Sequence, residues 1–259
     1  DASTLQKKLG FFETFKYIFT DKRLMFMIVA DVFYFIANGI ISNGGTYWWQ
    51  MHGMYDTRQA LSASIISICE WILVLIMPSI GFKLGKRNAK RFGYLLYAIM
   101  PLGLVFFGRY SCWVHTGTSI IAQMAYLTWS GFMAPILISE ADRFYYETGK
   151  DLRSVAPALI TLPATIGMAI GAAIFNYGVA LIGLDKIDWT DIATITATMP
   201  ARFENNYILV WAGLTFVMAA IGTVLFFFAY RMTDDEAEKY ALANIERDEH
   251  LREVAASNS

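Results

Sequence analysis

Between residues 24 and 230 the chain passes through six apolar stretches with almost no charge, and its charged residues collect in the short segments between them. The stretches cover 24–48, 60–84, 92–107, 118–138, 155–184 and 207–230. A helix needs about 20 mostly apolar residues to cross the hydrocarbon core of a bilayer, and a helix is one of only two ways to satisfy a backbone there. Hydrophobic residues make up 56% of the chain and charged ones 17%, whereas a soluble helical protein of this length would scatter charge along every helix. The pattern predicts an all-α polytopic membrane protein, a six-transmembrane-helix bundle embedded in the lipid bilayer. It divides into a cytoplasmic linker or interfacial helix over 1–23, a membrane domain over 24–231 and a cytoplasmic tail helix over 232–259. The first residue is Asp1, so a trimmed start or a piece of a longer chain is expected.

Basic residues set the orientation. Seventeen of the 21 lysines and arginines fall on the side that also holds both ends of a six-span chain, and four (Arg58, Arg109, Lys186, Arg202) fall on the other. That bias places both termini in the cytoplasm, in a cell (inner) membrane. Before the first span, Phe12, Phe15 and Phe19 recur at helical spacing near Lys16, as in a helix lying in the headgroup plane or arriving from an upstream domain. After the last span, Thr233 and Glu236 have capping-box spacing and open a charged, solvated helix. Residues 185–206 form the longest outer loop, either an ordered cap or a flexible connector.

A formal net charge of −1 gives no reason to expect nucleic acid. Cys69 and Cys112 read as reduced, buried thiols. His52, His115 and His250 fall in loops or the tail without metal-ligand spacing, and no nucleophile–base or phosphate-cradling motif is present. No enzymatic activity, metal or cofactor is expected.

The informative polar groups lie inside the spans. Asp31 sits about two turns into the first and Glu70 near the middle of the second. A carboxylate there costs about 2.5–3.5 kcal/mol on insertion scales, so it faces a cavity or a partner. A coupling or substrate site and a structural hydrogen bond between helices are both open for each. Asn38, Ser42, Asn43, Gly44, Gly45, Tyr47 and Gln50 crowd the outer part of the first span, where two asparagines and paired glycines predict unwound backbone lining a cavity. Gln123, Tyr126, Thr128 and Trp129 follow in the fourth span, and Asn176 and Tyr177 in the fifth. Amides with aromatic rings suit a sugar, whose apolar face stacks on rings and whose hydroxyls bond amides. Tyr47, Trp48, Trp49, Trp113 and Trp189 also fit an aromatic interface belt. For Trp129, binding and plain packing are both open. Gly167 and Gly171 form a small-x-x-x-small pair for close helix packing. A polar loop carrying Glu140, Asp142, Arg143, Glu147 and Thr148–Arg153 joins the fourth span to a fifth broken by Pro157 and Pro163. It reads as the hinge of a transporter.

Pro78 followed by Gly85-Lys86-Arg87 resembles the cytoplasmic loop found in each half of major facilitator transporters. Asp142 with Thr148-Gly149-Lys150 is similar to the loop after the tenth helix of the glycoside–pentoside–hexuronide:cation symporters, the melibiose-permease group. The segment into Asp21-Lys22-Arg23 resembles that family's linker into its seventh helix, and the tail from Thr233 its C-terminus. The resemblance covers nearly the whole chain as a second half, helices 7–12. It implies a secondary transporter of a sugar or glycoside, coupled to H⁺ or Na⁺, working by alternating access with an N-terminal six-helix half as its partner and a small-molecule solute between the halves. Asn38, Asn43, Tyr47, Glu70, Gln123, Tyr126, Trp129, Thr165 and Asn176 are the candidate substrate contacts. Asp31, Asp142, Arg143 and Arg153 are the candidates for coupling or gating. Two positions depart from the family. The lysine common before the Leu-Gly of the eleventh helix is Thr165 here, and the acidic residue three before the Thr-Gly is Tyr145. These departures keep open a structural or assembly subunit derived from a half-transporter. A carrier of lysolipids or other amphiphiles is the further alternative.

Overall fold

A computed structural model describes residues 11–54, 57–153 and 156–257. Ten α-helices order the described residues: α1 (Phe11–Thr20), α2 (Lys22–Met51), α3 (Thr57–Leu84), α4 (Lys86–Phe107), α5 (Trp113–Gly131), α6 (Met133–Thr148), α7 (Ala156–Leu181), α8 (Ile192–Ile208), α9 (Leu214–Ala229) and α10 (Asp234–Ser257). No strand occurs among the described residues. Among the described residues, six helical stretches are long and apolar enough to cross a membrane: α2, α3, α4, the pair α5–α6, α7 and the pair α8–α9. The chain is a multi-pass membrane protein.

α2 is the central helix. Asp21 caps it by accepting the Leu24 N–H at 2.9 Å, and it runs unbroken for 30 residues, about 45 Å at the helical rise. The asparagines and glycines of its outer half therefore do not unwind it. The Asn43 amide bonds back to the Gly39 carbonyl at 2.6 Å, and each glycine is a point where another element touches the backbone. A Cβ at Gly39 would lie 2.8 Å from the Met168 carbonyl oxygen, one at Gly44 2.1 Å from the Trp211 ring, and one at Gly45 3.0 Å from His115. Packing overrides the low helix propensity of these residues. Gly167 and Gly171 on α7 supply the matching surface, as their spacing predicts: a Cβ on Gly171 would come within 2.3 Å of the Ile36 carbonyl oxygen.

The other spans are longer than their apolar cores. α6 continues through Glu140, Asp142 and Arg143 to Thr148, where Gly149 at φ 74° gives a left-handed cap. The expected polar loop is thus mostly helix. α7 is continuous through Pro163. Residues 192–206 of the expected outer loop are also helical, and α8 joins α9 through one π-helical turn, Leu209–Gly213.

Trp48 and Trp49, expected in an interface belt, are instead fully buried where Trp211, Tyr207 and Phe175 pack around the outer half of α2. Trp113 stays 38% exposed, edge-on to Trp49 at 5.5 Å. Near the termini, α1 docks through buried Ile18 and through Tyr17, 6.0 Å from Phe144. Phe15 and Phe19 stack on its other side, and Phe19 is exposed. Residue 9 and the Phe12 side chain lie outside the described residues. The tail helix is not wholly solvated: on its α6-facing side Asn244 donates to the Asp142 carbonyl at 2.8 Å and Arg247 to the Tyr145 carbonyl at 3.3 Å.

Candidate functional site

In the half of the bundle away from the termini, α2, α3, α4 and α5 splay around an open cavity of about 450 Å³, within the range of small-molecule sites. α2 contributes Asn38, Ser42, Gly45, Thr46 and Trp49. α3 contributes Gln59, Ser62, Ala63, Ile66 and Glu70, a stripe at helical spacing. α4 contributes Tyr97, Met100 and Leu104, and α5 contributes His115, Thr118, Ser119, Gln123 and Tyr126. The stripe on α3 spans twelve residues, about 16 Å along the helix.

Several of these polar groups already have partners. The Tyr97 hydroxyl donates to Asn38 Oδ1 at 2.9 Å, and Asn38 Nδ2 points at the Met168 sulfur at 3.5 Å. Ser62 and Thr116 share a hydroxyl contact of 2.6 Å that ties α3 to α5. His115 Nδ1 accepts the Trp49 indole N–H at 3.2 Å, which fixes the neutral tautomer with Nε2 as the donor. Other groups are unmatched. Gln59 Oε1 is buried without a partner, and Glu70 makes no hydrogen bond or ion pair among the described residues. Among the described residues Glu70 is also the one formal charge lining the cavity.

Of the residues singled out from sequence, Asn38, Glu70, Gln123 and Tyr126 meet here. Asn43, Tyr47, Trp129, Thr165 and Asn176 do not line this cavity. Tyr47 packs between Phe175 and Trp189. Trp129 is fully buried against Tyr34, Phe35, Tyr94 and Tyr97. Thr165 bonds its own helix at the Thr161 carbonyl (3.1 Å), and Asn176 is exposed on α7. His115, read from sequence as a loop residue, sits on the first turns of α5 at the cavity wall. Its signal was aromatic: Trp113 and Trp49 already marked the same level of the bundle.

Asp31 lies elsewhere, in the dense half of the bundle. Its carboxylate pairs with Lys90 Nζ at 2.9 Å, and both side chains have 0% exposure. The Tyr94 hydroxyl donates to the same carboxylate, and Lys90 also sits 5.0 Å over the Phe226 ring. Lys90 had been counted among the loop cations. An acid two turns inside a span demands a partner, and Lys90, one turn inside α4, is the base at matching depth.

The third group is a network at the end near the termini. Arg143 reaches Glu140 at 2.6 Å, Glu147 at 2.6 Å and Asp21 at 2.7 Å, joining α6 to the cap of α2. Arg153 reaches Asp151 at 2.9 Å, Asp248 at 3.1 Å and Asp142 at 3.9 Å, joining α10 to the α6–α7 connection. Tyr145 donates to Asp248 at 2.7 Å, so this departure from the family motif is a tail anchor. Burial pushes the Asp151 carboxyl up, but the bonds from Arg153 outweigh it and hold the group below the usual carboxylate range.

The fold, the six spans and a polar cavity between them are those of half a carrier. The sequence profile of the MFS/sugar transport protein family matches residues 1–234. The chain belongs to that family. It is a transporter of the major facilitator type, and the family's activity is transport rather than catalysis. No curated protein matches the chain. Within a major facilitator half, the cavity at α2–α5 is the candidate solute site and the two arginine networks are the candidate hinge.

Proposed function

We propose that this chain is the C-terminal half of a secondary active transporter that carries a sugar or glycoside by alternating access, coupled to a cation, H⁺ or Na⁺. The observation that carries the reading is the composition of the cavity wall. Gln59 and Gln123 offer amides and Tyr126 a partly exposed ring, the two kinds of contact a pyranose needs. On α3, which supplies one wall of the cavity, Trp71, Leu75 and Phe82 are 75%, 78% and 76% exposed. That apolar surface suits lipid and an N-terminal six-helix half facing this one. The basic bias of the terminal end supports cytoplasmic termini and a cell-membrane location.

The test is uptake by the full-length transporter in proteoliposomes, with a panel of labelled glycosides and imposed H⁺ or Na⁺ gradients. Gradient-driven accumulation of a glycoside, lost on Gln123→Ala with normal insertion, is the expected result. No accumulation of any glycoside under either gradient would overturn it.

A further inference from the structure

The polar groups that the cavity leaves unmatched are acceptors. Gln59 Oε1 is buried with no donor. The Glu70 carboxylate has no hydrogen-bond or ion-pair partner among the described residues, and no lysine or arginine is in the cavity wall. His115 cannot serve as a counter-charge while its Nδ1 accepts the Trp49 indole proton at 3.2 Å. A carboxylate inside a membrane span normally has a partner. Asp31, in the same bundle, has one at 2.9 Å; Glu70 does not, and it faces a space large enough for a solute. A ring shares that space: Tyr126 lines it and is partly exposed, and an aromatic face attracts a cation.

We infer that the cavity takes a hydroxylated solute bearing a protonated amine, an amino sugar or amino polyol, with Glu70 as its counter-ion. This rests on the glycoside reading above and narrows it. An ammonium brings three donors and a positive charge to a site with spare acceptors and a negative one. The solute's hydroxyls would meet the neutral polar groups of the same wall, Gln123 and Tyr126 among them. The same wall disfavours an acidic sugar, because Glu70 repels a second carboxylate and no cation is present to receive it.

The test is calorimetric titration of the full-length, detergent-solubilised transporter with matched ligands that differ in one group: glucosamine, glucose and glucuronate, with the same trio in the galactose series. A charge-assisted bond exceeds a neutral one by enough to predict a roughly tenfold tighter Kd for the amine than for the neutral sugar. The acid should bind at least as weakly as the neutral sugar. Glu70→Gln should shrink the ratio of neutral-sugar Kd to amine Kd to within about twofold, and Glu70→Asp should retain the amine's advantage. Equal affinity for amine and neutral sugar in the unaltered protein would overturn the inference and leave the glycoside reading standing. So would a loss of neutral-sugar binding in Glu70→Gln equal to the loss of amine binding, since Glu70 would then serve every solute or the coupling ion. Binding of none of the sugars would overturn both readings. The unaltered protein alone decides between the first outcomes, so a Glu70→Gln variant that failed to fold would not shelter the inference.

Discussion

Neutralising Asp31 is the perturbation the structure makes most quantitative. Asp31 and Lys90 are both at 0% exposure, 2.9 Å apart, with a Tyr94 hydroxyl on the same carboxylate. Asp31→Asn keeps the shape and leaves a buried ammonium without its counter-ion; Lys90→Met does the converse. Breaking a buried pair costs about 3–5 kcal/mol. An independent bound comes from neutralising the orphan. At pH 7 an ordinary lysine gives up its proton at a cost of about 4.6 kcal/mol, and an ordinary aspartate takes one at about 4 kcal/mol. The two routes agree, so each single variant should lose about 3–5 kcal/mol. Replacing both ions is often nearly neutral, so Asp31→Asn with Lys90→Met should lose under about 2 kcal/mol. The coupling between the two sites is then about 4 kcal/mol or more in magnitude, well outside the range for independent substitutions. Reversible unfolding of the purified protein by increasing mole fraction of an ionic detergent in mixed micelles measures all four variants. Singles costing under 1 kcal/mol would show that water reaches the pair. A double variant costing the sum of the singles would show that each ion is held by something other than its neighbour. Uptake by the stable double variant then separates structure from coupling: normal gradient-driven transport would remove Asp31 from the coupling mechanism.

Three further outcomes follow from the same geometry. Gly171→Leu must force α7 off α2, since even a Cβ would meet the Ile36 carbonyl oxygen at 2.3 Å; overpacking of this kind costs about 1–3 kcal/mol, read by the same unfolding assay. Arg143→Met leaves Glu140, 1% exposed, without its cation, and should cost about 3–5 kcal/mol, with faster hydrogen exchange in α1 and the first turn of α2. The tail should loosen in acid. Asp151 and Glu236 are both held below the ordinary carboxylate range, Asp151 by the Arg153 bonds that outweigh its burial and Glu236 by its bonds to the Thr233 backbone and hydroxyl. A depressed carboxyl contributes stability above its unfolded pKa, near 4, and loses it as pH falls through the lower folded value. Exchange in α10 should therefore be flat from pH 7 to about 5, after correction for intrinsic rates, and rise below about 4; Asp151→Asn should make that rise shallower.

The span count was legible because charge-free runs of membrane length have one physical solution in lipid. The span ends were not, because a helix does not stop where its apolar run stops. α6 carries Glu140 and Arg143 inward on a face where they satisfy each other, and α8 carries Glu204, Asn205 and Asn206 beyond the apolar core that starts near Tyr207. The unwinding expected at Asn43-Gly44-Gly45 failed for a related reason. Local propensity disfavours a helix there, but those glycines are where Trp211 and His115 lean on the backbone, and that packing decides. The belt expectation failed at Trp48 and Trp49 because belts belong to helices that face lipid, and α2 has α7, α8 and α9 around it. The cavity was half legible. Glu70, Asn38, Gln123 and Tyr126 stood out as polar groups in apolar spans. Gln59 and His115 did not, because they lie at helix ends that the sequence reads as loop. Lys90 escaped because the basic-residue argument uses cations in bulk, and a lysine near a loop counts the same whether it is solvated or buried.

The placement of ion pairs constrains how such a half can move. A rocking half must separate contacts at one end while keeping its own core, so the contacts that part should be cheap. Arg143 is not cheap: it is 4% exposed and grips three carboxylates, two of them on its own helix and one at the cap of α2. It welds α2 to α6, as Asp31–Lys90 welds α2 to α4. Arg153 is different. Its side chain is 28% exposed, its partners Asp151, Asp248 and Asp142 are 24%, 20% and 14% exposed, and one contact is as long as 3.9 Å. Pairs in that setting contribute about 0–1 kcal/mol each. If this half rocks, the contact expected to part first is the one at Arg153, between α10 and the α6–α7 connection. Of the two arginines expected to gate, Arg153 sits in the more exposed network and Arg143 in the buried one. Arg153→Ala should change the rate of transport at nearly constant stability, whereas Arg143→Met should change stability first. Equal destabilisation by both would refute that division.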